Sequence, residues 1–555
     1  GRAAINITSQ SNTQKGKVVI SYERIEKLED ARDKELLGNG KLLLPIGSFR
    51  PIYSSIYLMD HFDFKDIKFN VGLRIDRYDA NQQVLKDKYA LHELAQVGDL
   101  GSIGNLPAGF TDNIPKNISQ NAAIYVAQNP SGGKSPISIK GYRDGDKWYN
   151  SEGNEISDPN LIASSDARPI PLFKDNADYD KKMSAAAFTN YVAAIIPQPR
   201  LAFSFPISDV ANFFAHYDVL SQRPTGSQLL PLEYYYMNAS GSTPLITNPN
   251  QQPQRTVDYE LGFQQVLNER KNASLTITSF YKEIRGQINQ RVVVGAFPKN
   301  YIMYDNIDFS TVKGISCIFD FRRTGGSRIN LNYTLQFADG SGSNANSGAN
   351  LASTGQPNLR ILQPLDFDTR HNFVLSYDYR FGNKKDYKGP SFKTKSDKSI
   401  RLFQDIGFNL SFLLNSGNPY TRWSTAVPTQ GGNGRSSIVG QINGSSKPWN
   451  FRANLRLDKN INLTWGKDGP DGEKSANINI YLQVLNLFNT QNILNVFNYT
   501  GAPDDDGYLS STQAQAALAQ ANSAVAYSNM YSIRMNAPGN YSLPRQIRLG
   551  LLFSF

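Results

Sequence analysis

Apolar and polar residues alternate one for one along much of this chain. At the carboxyl end, in "LPRQIRLGLLFSF", Ile547, Leu549, Leu551, Phe553 and Phe555 occupy every second position. Gln546, Arg548, Gly550 and Ser554 lie between them, and Leu552 is the one apolar exception. In "DIKFNVGLRIDRY", Ile67, Phe69, Val71, Leu73 and Ile75 share one side, and Lys68, Asn70, Gly72, Arg74 and Asp76 the other. "FRANLRLDKN" and "ANINIYLQV" repeat the pattern. Side chains of a strand point alternately to opposite faces, so each segment has one oily and one wet side. A soluble sandwich shows the same alternation, so the pattern of lengths has to separate the two.

The chain holds about fifteen such segments, most of roughly nine to thirteen residues, the length a tilted strand needs to cross a bilayer. Ordinary globular strands average about five or six residues. Short connections ("DFKD", "PISD", "LNERKN", "RRTGGS", "WGKDGPDGEKS") alternate with long ones. The long ones run from Asp79 to Pro197, Leu220 to Arg255, Gly286 to Asp308, Ala338 to Asp368, Asn415 to Pro448 and Phe488 to Pro544. Short turns on one side and long loops on the other characterise outer-membrane barrels, with the short turns periplasmic. The lysine-rich stretch from Gly382 to Ile400 is long where that register calls for a short turn. The expected fold is therefore all-β, a transmembrane antiparallel barrel with long extracellular loops.

Within the loops, "SSTQAQAALAQANSAVAYSNM" is alanine- and glutamine-rich without Gly or Pro, which predicts a short helix in the last loop. "GYRDGDKWYNSEGNEISDPN" predicts a small hairpin inside a loop subdomain spanning 80–197. The terminal strand fits this scheme: its odd face meets lipid, its even face the lumen, and its last aromatic lies at the level of an aromatic girdle. Counting back from Phe555, the first strand, "RAAINITS", runs inward and the total is odd. Bacterial single-chain barrels have an even count, so the expectation is a carboxyl-terminal portion of a larger barrel occupying 1–555.

Composition changes this picture little. No apolar run is long enough for a helical span. The mean hydropathy of −0.44 is clearly polar, which does not exclude a membrane, because strand alternation averages hydropathy to near zero. The net charge of +10 comes with one cluster of lysines, "GNKKDYKGPSFKTKSDKSIR", and no nucleic-acid motif. It reads as a solvated basic turn, with anionic lipid headgroups as an optional contact and no nucleic-acid partner. The single cysteine, Cys317, permits no internal disulfide or thiolate zinc site and is expected to be buried and neutral in its strand.

Several segments resemble a known family. "YLMDHFDFKDIKFNVGLRIDRYD" is similar to the Y-x-Q-D … G-x-R-x-D hairpin of TonB-dependent outer-membrane receptors, with Met59 where Gln is usual. "PRLAFSFPISDVANFFAHYD" resembles their Pro-Arg strand, tight turn and returning strand. "TVDYELGFQ" carries Y-E-x-G at Tyr259, Glu260 and Gly262. "DTRHNFVLSYDY" carries D-x-R-H at Asp368, Arg370 and His371, and "VLNLFNTQN" carries N-L-F-N at Asn486 to Asn489. The likeness is to the large Oar-like and SusC-like members. It implies a full barrel of 22 strands, an amino-terminal plug and TonB box not found in this chain, multi-pass residence in the bacterial outer membrane, and a terminal Phe553/Phe555 signal read by the barrel-assembly machinery.

No catalytic motif is present: there is no G-x-S-x-G, zincin signature or P-loop, and the chain is read as a non-enzyme with no cofactor. His61, His92, His216 and His371 lack metal-ligand spacing and are expected to be hydrogen-bonders of the lumen or rim. Asp504, Asp505 and Asp506, beside Gly507, form a weak Ca²⁺ candidate; a solvated acidic turn is the preferred reading, and "YRDGDKW" is read in the same way. Arg74, Asp76, Arg452, Arg456 and Asp458 fall on lumen faces and are expected to hold a plug. Trp148, Tyr149, Tyr234, Tyr235, Tyr236 and Trp423 lie in outer loops, where they either stack on a ligand or pack the loops together.

The resemblance implies an energy-coupled importer of a bulky nutrient, driven by TonB with ExbB and ExbD through the plug, with a SusD-like or other surface lipoprotein as a possible partner. The rival reading is a structural outer-membrane scaffold in a surface, secretion or assembly complex. A passive porin is disfavoured by loop size and motif order.

Overall fold

A computed structural model describes residues 50–555, except 91, 105, 128–137, 163–168, 175–186, 225–244, 298–299, 354–357, 359, 383–386, 394–398, 429–435 and 466–473. The segment "RAAINITS" and Tyr234, Tyr235 and Tyr236 lie outside the described residues. Thirteen strands follow one another in chain order across a single antiparallel sheet. They are β1 (Ile52–Phe64), β2 (Ile67–Asp79), β3 (Ala194–Ser208), β4 (Ala211–Gln222) and β5 (Gln254–Val266). Next come β6 (Ala273–Val293), β7 (Tyr301–Thr324), β8 (Ser327–Gly340) and β9 (His371–Arg380). β10 (Ile406–Asn415), β11 (Asn450–Trp465), β12 (Lys474–Leu485) and β13 (Gln546–Ser554) complete the row. Two short pieces, Leu245–Ile246 and Gln363–Pro364, pair off this path and bring the sheet to fifteen strands among the described residues, thirteen of them long.

The short turns lie together at one end of the sheet. Gly325 and Gly326 between β7 and β8 have φ of 60° and 96°, the left-handed conformation that a two-residue hairpin of matching twist requires. Lys65 takes a φ of 57° between β1 and β2. At the opposite end the connections are long, with one correction. The segment from Gly286 to Asp308 is not an irregular loop. β6 and β7 run on as a raised hairpin, so that only 294–300 connects them. At about 3.3 Å per residue, the 24 residues of β7 reach ~80 Å, far more than a bilayer needs.

A sheet one layer thick cannot bury both its faces in protein. On β2 and β3, Val71, Leu73 and Leu201 stand exposed on the apolar face. Cys317 lies on that same side, paired with Ile277 and Tyr333. Contrary to the expectation of a buried thiol it is half-exposed, because among the described residues no second layer packs on the apolar face at this point. No helix among the described residues is long and apolar enough to cross a membrane.

The protein's packed cores sit instead in the loops. Residues 80–193 carry a five-stranded sheet made of Ala123–Ala127, Ser138–Asp144, Lys147–Asn150, Glu155–Ile156 and Ile170–Pro171. Ile124, Val126, Tyr142 and Leu172 pack one core there. A second core joins Tyr89, Tyr125 and Trp148 of this loop to Ile246 and to Val293, Tyr301 and Met303 of the raised hairpin. The last loop holds two helices rather than one, α1 (Thr512–Gln520) and α2 (Ala524–Met535). The break falls where Ser523 caps a new start, its hydroxyl accepting from the amide of Ala526, as Ser511 does for Ala514.

Candidate functional site

Strand alternation places the polar side chains of successive strands on one continuous wall, and cross-strand register decides which of them meet. On β1 and β2, Tyr53 donates to Asp76 Oδ2 at 2.8 Å while Arg74 donates to Asp76 Oδ1 at 2.7 Å and to the Tyr53 hydroxyl at 2.7 Å. Asp76 is only 3% exposed and fully engaged. Across the sheet, Arg380 of β9 grips both oxygens of Asp458 of β11 at 2.8 and 3.0 Å, and Asn479 of β12 donates to the same carboxylate at 3.1 Å. Arg456 lies over the ring of Tyr481, 4.3 Å from its centre, and Arg452 donates to Asn454 at 3.3 Å.

The structure thus divides the five wall residues expected from the sequence into two groups, Arg74 with Asp76 on β2 and Arg452, Arg456 and Asp458 on β11, and adds charged wall residues that the sequence did not single out. Arg380 is one. Lys282, which donates to Asp258 at 2.7 Å, is another. Both were accessible in principle, since Arg380 shares its parity with Asp378 in "HNFVLSYDYR", and Asp258 and Lys282 fall at facing positions of β5 and β6.

Above the wall, the loops are tied together by a charged knot. Arg143 is buried, with its guanidinium over the Tyr89 ring at 4.1 Å; it donates to Asp87, to the Tyr125 hydroxyl at 3.2 Å and to the Gly145 carbonyl at 2.7 Å. Burial works against its charge, but Tyr125 and Asp87 outweigh that and raise its pKa. Half-exposed Asp146 meets Lys88 at 2.9 Å and Arg291 of the raised hairpin at 3.3 Å, and accepts from Tyr89 at 2.9 Å. Burial favours its neutral form, yet the Lys88 hydrogen bond and the Arg291 charge prevail and lower its pKa to about 2. A second knot ties the loop after β8 to the hairpin: Asn289 and Ser341 donate to Asp308 at 2.7 and 2.9 Å, and Gly348 N–H donates to Asn289 at 2.8 Å.

The candidate ligand aromatics part company. Trp148 is 4% exposed and wedged against Tyr125, Tyr89 and Gly295, so it packs the loops and offers no ring to a ligand. Its sequence neighbourhood, "DGDKWYN", gives no hint of this, because the partners lie far along the chain. Tyr149 is half-buried against the other loop core. Trp423 is half-buried on a two-residue strand, Arg422–Trp423, whose amide at Trp423 donates to the Asn498 carbonyl at 3.0 Å.

The acidic turn organises its loop. Asp505 accepts from Gly507 N–H at 2.8 Å; buried Asp506 accepts from Tyr508 N–H at 2.9 Å and from the Tyr531 hydroxyl of α2 at 2.5 Å. Among the described residues no group of three or more His, Cys, Asp or Glu side chains is placed to hold a metal ion. The histidines are likewise engaged: His61 with Asn70, His371 with the Tyr333 hydroxyl at 3.0 Å, His216 beside the Phe214 ring and His92 stacked on Phe173.

Residues 44–398 match the family described as TonB dependent receptor-like, beta-barrel. No curated protein matches the chain. Among solved structures, it is similar to the closed form of the ferric-catecholate import receptor Fiu from K12 E. coli, at 14% identity over 81% of this chain and 42% of that one, with a TM-score of 0.37. The FrpB iron transporter from Neisseria meningitidis aligns at 11% identity over 84% of this chain and 45% of that one, with a TM-score of 0.36. FpvA of P. aeruginosa, solved with a bound iron–pyoverdine, aligns at 9% identity over 81% and 46%, with a TM-score of 0.36. The chain spans less than half the length of these proteins.

Proposed function

The chain belongs to the TonB-dependent receptor-like β-barrel family of the bacterial outer membrane, and from that premise we propose that it forms the wall and outer mouth of an energy-coupled importer of a bulky nutrient. The observation that carries the reading is the division of labour in the fold. A wall that is polar on one face and apolar on the other stands beneath outer loops that hold cores of their own. A passive pore needs the wall alone. A receptor needs outer loops rigid enough to keep a binding surface in place, and the Arg143 and Asp308 knots supply that rigidity.

In this reading a plug domain closes the lumen and is held by Arg452, Arg456 and the Arg74–Asp76 and Arg380–Asp458 pairs, whose hydrogen bonds exchange with the plug when it moves. The outer membrane has no ATP, so TonB with ExbB and ExbD pulls on the plug from the periplasm. Trp423 and Tyr149 are the loop aromatics proposed to meet the nutrient. The size of the first loop suits the Oar-like and SusC-like group and a SusD-like or other surface lipoprotein partner. Phe555, with its ring stacked on Phe553 at 5.5 Å, is the proposed address for the barrel-assembly machinery.

The test joins two measurements on the full-length protein. Binding of the TonB carboxyl-terminal domain, together with near-zero single-channel conductance, is the expected result. A large constitutive conductance would make it a porin. A stable lipoprotein complex that survives loss of TonB binding would make it a scaffold.

A further inference from the structure

One connection at the short-turn end breaks the pattern. β9 stops at Arg380 and β10 starts at Ile406, and the segment between them folds a small hairpin, Ser391–Lys393 paired with Ser399–Arg401. Its register sets Phe392 directly opposite Ile400, so the two side chains share one face, and they are 59% and 50% exposed. Lys393 and Arg401 occupy the alternate positions. The whole 381–405 stretch carries seven Lys and Arg against three Asp. Exposed apolar side chains interleaved with cations make an interfacial amphiphile, whichever secondary structure carries them.

The wall shows where this amphiphile is anchored. Tyr379 lies on the apolar face, in register between Ser327 and Phe408. Its ring meets Phe408 at 5.6 Å and Phe381 at 4.8 Å; Phe381 in turn stacks on Phe403 at 5.3 Å and meets Tyr387 at 6.3 Å. The Tyr387 hydroxyl then closes the base of the hairpin, donating to the Pro390 carbonyl at 2.7 Å and accepting from Phe403 N–H at 3.3 Å. This run of rings leaves the wall on its lipid side. A segment meant for the plug or the lumen would be tethered to the polar face.

We propose that the paired strands Ser391–Lys393 and Ser399–Arg401 form a membrane foot, which seats Phe392 and Ile400 in the interface of the periplasmic leaflet and binds anionic phospholipid headgroups through Lys388, Lys393 and Arg401. Long cationic stems bend toward a surface their heads can reach, and the attraction acts within a screening length of about 8 Å at physiological salt. The foot fixes the rotational and vertical seat of the wall at this point. It requires a barrel in a membrane and does not depend on what the barrel transports.

The experiment uses the full-length protein in nanodiscs, with Cys317→Ser as background and Phe392→Cys carrying an environment-sensitive fluorophore. Lipid-borne bromine and aqueous iodide serve as quenchers. The expected result is quenching by brominated phosphatidylglycerol, weak in phosphatidylcholine alone. Reversing Lys388, Lys393 and Arg401 to Glu should shift the seating equilibrium toward water, about five-fold per cation. Salt near 1 M, where the screening length falls to about 3 Å, should do the same. Heat-resistant gel mobility shows that each variant is folded, and changing Lys388, Lys393 and Arg401 to Gln gives an intermediate loss if charge is responsible. Iodide quenching alone in both lipid mixtures overturns the proposal. So does lipid-borne quenching indifferent to phosphatidylglycerol, salt and charge. Shielding that arises only on addition of periplasmic extract would assign the hairpin to a protein partner and overturns it equally.

Discussion

The distal edge of the Phe214 ring lies over Gly262, directly across from it on the polar face of β4 and β5; a Cβ at Gly262 would fall 2.2 Å from the ring's Cζ. The arrangement recurs. Phe280 covers Gly314 and Tyr481 covers Gly550, each at the facing position of the neighbouring strand. An aromatic side chain folded over a cross-strand glycine shields backbone that would otherwise be bare, and it pins register. The glycine of the Y-E-x-G element therefore serves a physical purpose, which is to seat a ring from the preceding strand.

Gly262→Ala should therefore force Phe214 off its seat and destabilise the sheet by ~1–3 kcal/mol, the usual cost of overpacking. Gly72→Ala on β2 is the control, since the nearest atom to its Cβ would be 3.5 Å away, an ordinary contact. Urea midpoints of the folded band on gels report both. Equal midpoints for the two variants would show that the ring moves freely and pins nothing.

The β7–β8 turn separates two glycine roles. Gly325 has open space around its Cβ position, while a Cβ on Gly326 would lie 2.6 Å from the Arg380 carbonyl oxygen. Both have positive φ, a conformation Asn tolerates better than other residues. Gly325→Asn should leave refolding yield close to wild type. Gly326→Asn should lower it markedly and weaken the neighbouring Arg380 amide bond to the Gly326 carbonyl, seen as faster exchange of the Arg380 amide.

The Arg143 knot tests whether the loop assembly is a unit separable from the wall. Arg143→Lys keeps one charge but forfeits the planar fork that reaches Asp87, Tyr125 and the Gly145 carbonyl together. The local loss should be ~1–3 kcal/mol, because the buried Tyr125 hydroxyl and the part-buried Asp87 carboxylate and Gly145 carbonyl lose their shared donor. Hydrogen exchange should quicken by orders of magnitude across Ala123–Ala127 and Ser138–Asp144 while β8 to β12 hold their protection. Uniform loosening of the whole sheet would show that loops and wall fold as one.

How much of this is legible in the sequence follows from where each residue's neighbours lie. In the wall, a side chain's environment is set by its parity in its own strand, so "NFRANLRLDKN" discloses which residues face lipid without knowledge of β10 or β12. The raised hairpin escapes that rule for a related reason. Beyond the bilayer level both faces of β6 and β7 meet protein or water, and "GQINQ" loses its alternation while remaining a strand. Trp148 shows the limit. Its burial depends on Tyr89, Tyr125 and Gly295, contacts that no local pattern encodes. The two-helix form of the last loop is visible only in one residue, Ser523, whose preference for a cap outweighs the alanine-rich run on either side.

Acid provides the last test. The folded pKa of Asp146, about 2, lies below the ordinary carboxylate value of 3.8, so ionisation of this group contributes stability above about pH 4. That contribution is lost as pH falls through 4 toward 2, when protonation releases Lys88 and Arg291 from it. Because Asp146 is half-exposed, the effect is modest and local, confined to the junction of the first loop with the raised hairpin. Asp146→Asn should remove this acid dependence while keeping the shape of the side chain. The readout is proteolysis or exchange at 87–90 and 291–305 between pH 5 and 2, alongside the wall as reference. If the variant and the wild type open at the same pH, the junction is held by the Tyr89–Trp148–Tyr301 core, and its ion pairs only decorate it.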